Sequence, residues 1–279
     1  MTDSAPQELI EIECETWEEF KSQLAEFLSG NAESKEGDFV FRGQGDAEWS
    51  LSTSFDRAFG QRVTGSKAAV ESRRTRSRLL KQFREQMRLA SLADSTPERS
   101  APEPLWTWAI GQHYGLPTPL LDWTISPYIA AFFALESALA KIQFDQEGEI
   151  EFADGCLAIF ALNKRPLRAW EEMGVTFCQP LSLLNERIRP QLGLFTMTDG
   201  PVLEDCVLAY CSKHDVAIDR FLTKFTLPIT TSIEALQDLS LMDISPRRIY
   251  AGITGAAAAA SLKVKLLIYQ AMTHDDKYL

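Results

Sequence analysis

The sequence predicts an α+β fold, on three observations. Apolar runs near glycines, Phe39-Val40-Phe41 and Cys156 to Leu162, have the length and composition of strands buried in a sheet. Leu120-Leu121-Asp122-Trp123-Thr124 is a further buried extended run, with one carboxylate in its middle. Helical segments stand among these runs. The most distinct begins at Ser126-Pro127, a serine N-cap with proline at the first helical position, followed by Ile129, Phe132, Phe133 and Leu135 at helical spacing.

In chain order, Leu9 to Glu13 alternates as a strand does, and Thr16 with Glu19 forms a capping box ahead of an amphipathic helix carrying Trp17, Phe20, Leu24 and Leu28 on one side. Gly30 to Gly37 is a turn, and Phe39 to Gly45 is a strand ending in Arg42, set between Phe41 and Gly43. Trp49 to Arg57 continues as an extended or turn segment. Glu71 to Ala90 is a helix rich in arginine, Asp94 to Pro104 a loop, and Leu105 to Ile110 a short helix. Gln112-His113-Tyr114 lies between glycines and ahead of Pro117 and Pro119, and reads as a loop. Asn185 to Thr196 mixes charge with single apolar residues and reads as a second loop lining a site. Ile218 to Pro228 is strand-like and Ile233 to Leu241 helical. Ile249 to Ala260 is a glycine turn and an alanine helix, and Val264 to Tyr269 closes the chain as helix or strand. No internal repeat is present.

With 279 residues, 45% hydrophobic and 24% charged, the chain can bury a full core. No linker separates two units, so a single domain is expected, with its core at about residues 9–272 and a flexible N-terminus at 1–8. The acidic start lacks the pattern of a secretory signal, and no apolar run approaches the roughly 18 residues of a membrane span. A cytoplasmic protein without a membrane partner is expected. The five cysteines form no CxxC pair and the three histidines no HExxH arrangement, which argues against a disulfide framework and against a metal site. A net charge of −11 disfavours non-specific contact with DNA. A nucleic-acid partner would have to meet the basic helix at residues 73–88, whose alternative reading is a solvated face paired to acids.

Arg42 sits where a guanidinium would be partly buried, at a cost unless a carboxylate or phosphate meets it. It is either the partner of an internal acid, Asp122 or Asp46, or a phosphate ligand, with Gly43 and Gly45 letting a ligand approach the backbone. The helix starting at Ser126 would turn the N–H groups of Tyr128 and Ile129 toward the segment carrying His113 and Asp122, as an anion site requires. Each focal residue keeps two readings. His113 is a core histidine or a site residue, Asp122 a partner of Arg42 or Arg57 or a site acid, and Trp123 a core residue or an aromatic clamp.

Taken together, Phe41-Arg42-Gly43-Gln44, Trp49-x-Leu51, Arg57, Gln112-His113-Tyr114-Gly115-x-Pro117-Thr118, Leu120 to Thr124 with Ser126-Pro127, Ala130-x-x-Phe133-Ala134 and Arg187-x-x-x-Gln191-x-Gly193-x-Phe195-Thr196 resemble the FRG domain, a bacterial family. That pattern is in turn distantly similar to ADP-ribosyltransferases. Arg42-Gly43 resembles their strand-end arginine, and Thr124-x-Ser126 with the helix through Phe133-Ala134 their Ser/Thr strand and helix. The late acid of those enzymes has no counterpart in Ile249 to Gly255, and Pro119 stands where FRG domains usually carry arginine.

The resemblance implies a mixed or antiparallel β core with flanking helices and NAD as the small-molecule partner. The activity implied is ADP-ribosyl transfer or NAD glycohydrolysis in a toxin or phage-defence setting, with a macromolecular acceptor or a regulatory protein as second partner. A non-catalytic nucleotide- or ADP-ribose-binding module, or a protein-interaction module, is the alternative. On this resemblance Arg42, Gly43, Gln44, Tyr114, Trp123, Thr124, Gln191 and Phe195 would hold the nucleotide. His113, Asp122 and Glu186 would act on it, and Glu204 is a further candidate acid.

Overall fold

The computed structural model describes residues 9–31, 35, 37–59, 66–90, 103–140, 143–144, 150–151, 155–178, 193–200, 202–250 and 252–275. The first half of the chain forms β1 (Ile10–Glu13), α1 (Trp17–Gly30), β2 (Phe39–Gln44), α2 (Ser54–Phe59), α3 (Ser66–Leu89), α4 (Glu103–His113), β3 (Leu120–Thr124) and α5 (Pro127–Leu139). A small hairpin, β4 (Gln143–Phe144) and β5 (Ile150–Glu151), precedes β6 (Cys156–Asn163), α6 (Leu167–Glu172), β7 (Val175–Cys178), β8 (Gly193–Thr198) and α7 (Leu203–His214). The chain continues through β9 (Leu222–Pro228), α8 (Ser232–Leu241), α9 (Pro246–Ile249) and α10 (Gly252–Asp275). The α+β expectation fits this mixture.

Seven strands make one sheet in the order β1-β9-β6-β2-β3-β8-β7. β1 pairs with β9 in parallel, and every other neighbouring pair is antiparallel. Alternation along the strands divides the apolar side chains between two faces. Phe39 and Phe41 join the core formed with α1, α5 and α8, whereas Val40, Leu121 and Trp123 join the core formed with α6 and α7. A smaller cluster around Trp108, Leu120 and Phe195 packs beneath α3 and α4.

The helix starts follow from their caps. Thr16 Oγ1 accepts from the Glu19 N–H at 3.1 Å, and the Glu19 carboxylate reaches back to the N–H of Glu15 at 2.8 Å, one residue beyond the ordinary capping box. Ser126 Oγ accepts from the Ile129 N–H at 3.2 Å with Pro127 in the first turn, as expected from the Ser-Pro pair.

The loop expected at Gln112-His113-Tyr114 is instead the last turn of α4. Gly115 adopts φ +85°, the Leu116 N–H reaches Gly111 O at 2.8 Å and the Gly115 N–H reaches Gln112 O at 3.0 Å, the paired bonds of a Schellman cap. Pro117 and Pro119 lie beyond this cap and do not interrupt the helix. Two other readings change. Ser54 to Phe59 is a helix, and the end of the loop expected at Asn185 to Thr196 belongs to a strand, Gly193 to Thr198, because it pairs on both sides, with β3 and with β7. The segment Val264 to Tyr269 is helical within α10.

Gly43 of β2 and Gly45 just beyond it serve α5 rather than an open approach. A Cβ on Gly43 would lie 1.9 Å from Ala130 O and 2.8 Å from Ala134 N, and one on Gly45 would lie 2.5 Å from Ala138 N. The helix backbone therefore rests directly on the strand, and both obstructing groups at Gly43 are main chain that cannot yield. Gly43→Ala is expected to destabilise the protein by about 3 kcal/mol or more, or to prevent folding, in a denaturant titration. Gly30→Ala, at a helix position with nothing within 4 Å, is expected to be neutral or slightly stabilising in the same assay.

Candidate functional site

β2 pairs along its length with β6, and β3 along its length with β8, but β2 and β3 share one paired position, Phe41↔Thr124. The sheet is thus two parts, β1-β9-β6-β2 and β3-β8-β7, joined at a seam. On its α5 face, α5 covers one side of the seam while α3 and α4 pack over the other. A cavity of about 440 Å³ lies between them, within the range of small-molecule sites. Phe41, Arg42 and Gly43 of β2, Asp122, Trp123 and Thr124 of β3, and Gly193, Leu194 and Phe195 of β8 form its floor. Ala109, Gln112 and His113 of α4 and Ala130 and Phe133 of α5 form its sides, with Tyr250 after α9.

Arg42 and Asp122 meet across the seam. Arg42 Nη1 donates to the Asp122 carbonyl at 2.9 Å and stands 3.8 Å from Asp122 Oδ2. The guanidinium takes up a backbone acceptor that the missing ladder leaves without a strand partner. Its side chain is only 18% exposed and its buried Nε has no hydrogen-bond partner. Burial lowers the Arg42 pKa, with Asp122 opposing that shift, and the group stays charged.

The Asp122 side chain is 62% exposed and borders the cavity. The surrounding walls push its pKa up, while Arg42, the bond from Gln112 and Arg57 pull it down. Gln112 Nε2 donates to Asp122 Oδ1 at 2.6 Å, and Gln112 Oε1 accepts from the Thr118 hydroxyl. Both ends of this amide are engaged, so Gln112 fixes the carboxylate. Sequence reasoning placed Gln112 in a motif without giving it this role.

The residues expected at the site fall into several groups. Arg42, Asp122, His113, Thr124 and Phe195 border the cavity together. Gly43 borders it too, but its missing side chain admits α5. Trp123 also borders it, yet its indole is 2% exposed in the core and donates to Thr196 Oγ1 at 2.9 Å, leaving no free face for a clamp. Gln44 is buried, its amide donating to Ser50 O at 3.3 Å, and does not reach the cavity. Tyr114 points outward, 75% exposed, with its ring edge against His113. Glu186 and Gln191 lie outside the described residues. The Ile129 N–H, expected to face an anion, is taken by the Ser126 cap.

Glu204 stands apart from the cavity, both its oxygens accepting the Leu51 N–H at 2.9 and 2.8 Å. On the basic helix, Arg74 and Arg78 pair with Glu71 at 3.7 and 3.9 Å. Arg76 is internal. It donates to Thr198 O at 2.7 Å and lies over the Phe55 ring. Tyr250 and Phe133 were not anticipated as walls, since only the fold brings them to the seam.

Residues 37–143 match the FRG domain family model, and the chain therefore carries an FRG domain over that segment. The segment holds Arg42, Gln112, His113 and Asp122, whereas Phe195 and Tyr250 come from beyond it. No curated protein and no solved structure matches the chain significantly. Among the described residues no helix is long and apolar enough to cross a membrane, and no group of His, Cys, Asp or Glu could hold a metal ion.

Burial pushes the Glu204 carboxyl up from its ordinary 4.5 to about 7. Between those values the folded protein holds a proton that the unfolded chain has released, so this group's contribution to stability is lost as pH rises through the window. Glu204→Gln keeps an acceptor for the Leu51 N–H without a charge. It is expected to raise the melting temperature by a few degrees at pH 8, and to flatten its fall between pH 5 and pH 8 in a thermal-shift series. An unchanged slope would contradict the assignment.

Proposed function

We propose that the cavity binds NAD or a closely related nucleotide, and that the protein is an ADP-ribosyltransferase-like enzyme cleaving the nicotinamide–ribose bond. The supporting observation is the meeting of Arg42 and Asp122 in one cavity that Phe41, Phe133 and Phe195 wall with aromatic rings. The Arg42 guanidinium, which borders the cavity and gives Nη1 to a neutral carbonyl, suits a phosphate or ribose oxygen. Aromatic walls suit a flat heterocycle.

When the bond breaks, nicotinamide departs with the bonding pair and positive charge builds on the ribose, which a fixed carboxylate stabilises. Asp122, held by Gln112, fills that role. An oxygen of water or of a macromolecular acceptor then bonds to the ribose carbon, and its proton passes to Asp122 or His113. A bacterial toxin or phage-defence system is the setting in which such an activity would serve.

A second reading, a nucleotide-binding module without chemistry, draws support from the same residues. Asp122 is the sole carboxylate among the described lining residues, and Gln112 already occupies one of its oxygens.

NAD is expected to raise the melting temperature of the wild-type protein. Arg42→Lys should weaken NAD about tenfold or more, because an ammonium cannot reproduce the fork. Asp122→Asn should leave NAD affinity within about threefold while lowering nicotinamide release about a hundredfold. Stabilisation without nicotinamide release would favour the binding module, and no response to NAD or ADP-ribose would overturn both readings.

A further inference from the structure

Tyr250 enters the cavity wall from outside the matched segment, and its hydroxyl hydrogen is already committed. Its Oη donates to Glu136 Oε2 of α5. A phenol has one hydrogen to give and lone pairs to accept with, so what remains for the cavity is an acceptor. The backbone of Tyr250 is held as firmly as its hydroxyl. Its N–H donates to Pro246 O at 2.9 Å, and a Cβ on Gly255 would lie 2.2 Å from Tyr250 O, so the start of α10 rests on it. Phe132 and Phe133 flank the ring at 6.4 and 6.3 Å between centroids.

Two of the polar features of the cavity therefore differ in kind. At the seam stand a cation and a carboxylate, suited to phosphate and ribose. Beside Phe133 stands Tyr250, whose hydroxyl oxygen, its hydrogen given to Glu136, can accept a hydrogen bond and does not donate one. From this contrast we infer that Tyr250 is a specificity-determining residue, with Glu136 its positioning residue, and that it selects a flat ring bearing an N–H donor on its edge. A carboxamide and an exocyclic ring amine share that chemistry. A ring carrying a carboxylate or keto oxygen at the same place would set two acceptors against each other and be rejected. This assignment rests on the nucleotide reading of the cavity only for the rest of the ligand, not for the ring.

Affinities of wild type and Tyr250→Phe for NAD, for its nicotinic-acid analogue and for its hypoxanthine analogue test the inference. Wild type is expected to bind one of the two analogues about tenfold more weakly than NAD. The nicotinic-acid analogue marks the carboxamide as the selected donor, and the hypoxanthine analogue marks the amine. Tyr250→Phe should bind NAD about tenfold more weakly and lose that preference. Glu136→Ala, which frees the hydroxyl to turn and donate, should lose the preference, and Glu136→Gln, which can still accept from the phenol, should restore most of it.

If NAD does not bind, the same comparison is made with nicotinamide against nicotinic acid and adenine against hypoxanthine. A preference there that vanishes in Tyr250→Phe upholds the inference while the nucleotide reading fails. Equal affinities for both members of each pair, or a preference that persists in Tyr250→Phe, would overturn it.

Discussion

The structure depends on a hydrogen bond that replaces a ladder. Where β2 and β3 stop pairing after Phe41↔Thr124, Arg42 Nη1 supplies the donor for the Asp122 carbonyl. A charge-assisted bond is among the stronger ways to meet such an acceptor. The same arginine thereby spans the opening that the seam creates. Because the guanidinium is rigid and planar, satisfying the carbonyl with one nitrogen also sets the orientation of the others. A sheet paired along its whole width would have neither the gap nor the need for this charge.

The polar groups around the opening form a chain that leads away from it. Asp122 is held by Gln112, Gln112 by Thr118, and the backbone of Thr118 by Ser54, whose hydroxyl both receives its N–H at 3.0 Å and lies 3.3 Å from its carbonyl. The Phe55 N–H reaches the same carbonyl. The orientation of the carboxylate is thus traceable to the start of α2, remote from the cavity. Such support places a side chain more narrowly than a surface loop can. It also accounts for a helix at residues 54–59, where alternation alone suggests extended chain.

Local signals in the chain were legible where a residue acts on its immediate neighbours. The Ser126-Pro127 start, the Thr16 cap and the buried run Leu120 to Thr124 are all visible as types and spacings. The end of α4 is legible in principle, because glycine at the left-handed position followed by leucine is a helix stop, but Pro117 and Pro119 just downstream are equally the signal of a loop. What could not be read was partnership across distance. Nothing local to Gln44 distinguishes an amide bonded to Ser50 from one facing a ligand, and nothing near Tyr250 hints that Glu136 holds it. Gly43 and Gly45 illustrate the same limit, since an absent side chain leaves room, and only the fold decides whether a helix or a ligand fills it.

The matched segment ends close to β4, and this boundary bears on how the unit could be moved or inherited. Cut out alone, residues 37–143 would retain β2 and β3 while stripping β6 from one edge and β8 from the other. Two short strands tied at a single rung, with hydrophobic flanks bare, would not persist in water. Any protein that borrows the segment must bring its own bordering strands. The far walls are then free to differ from host to host while the cation and its carboxylate travel together.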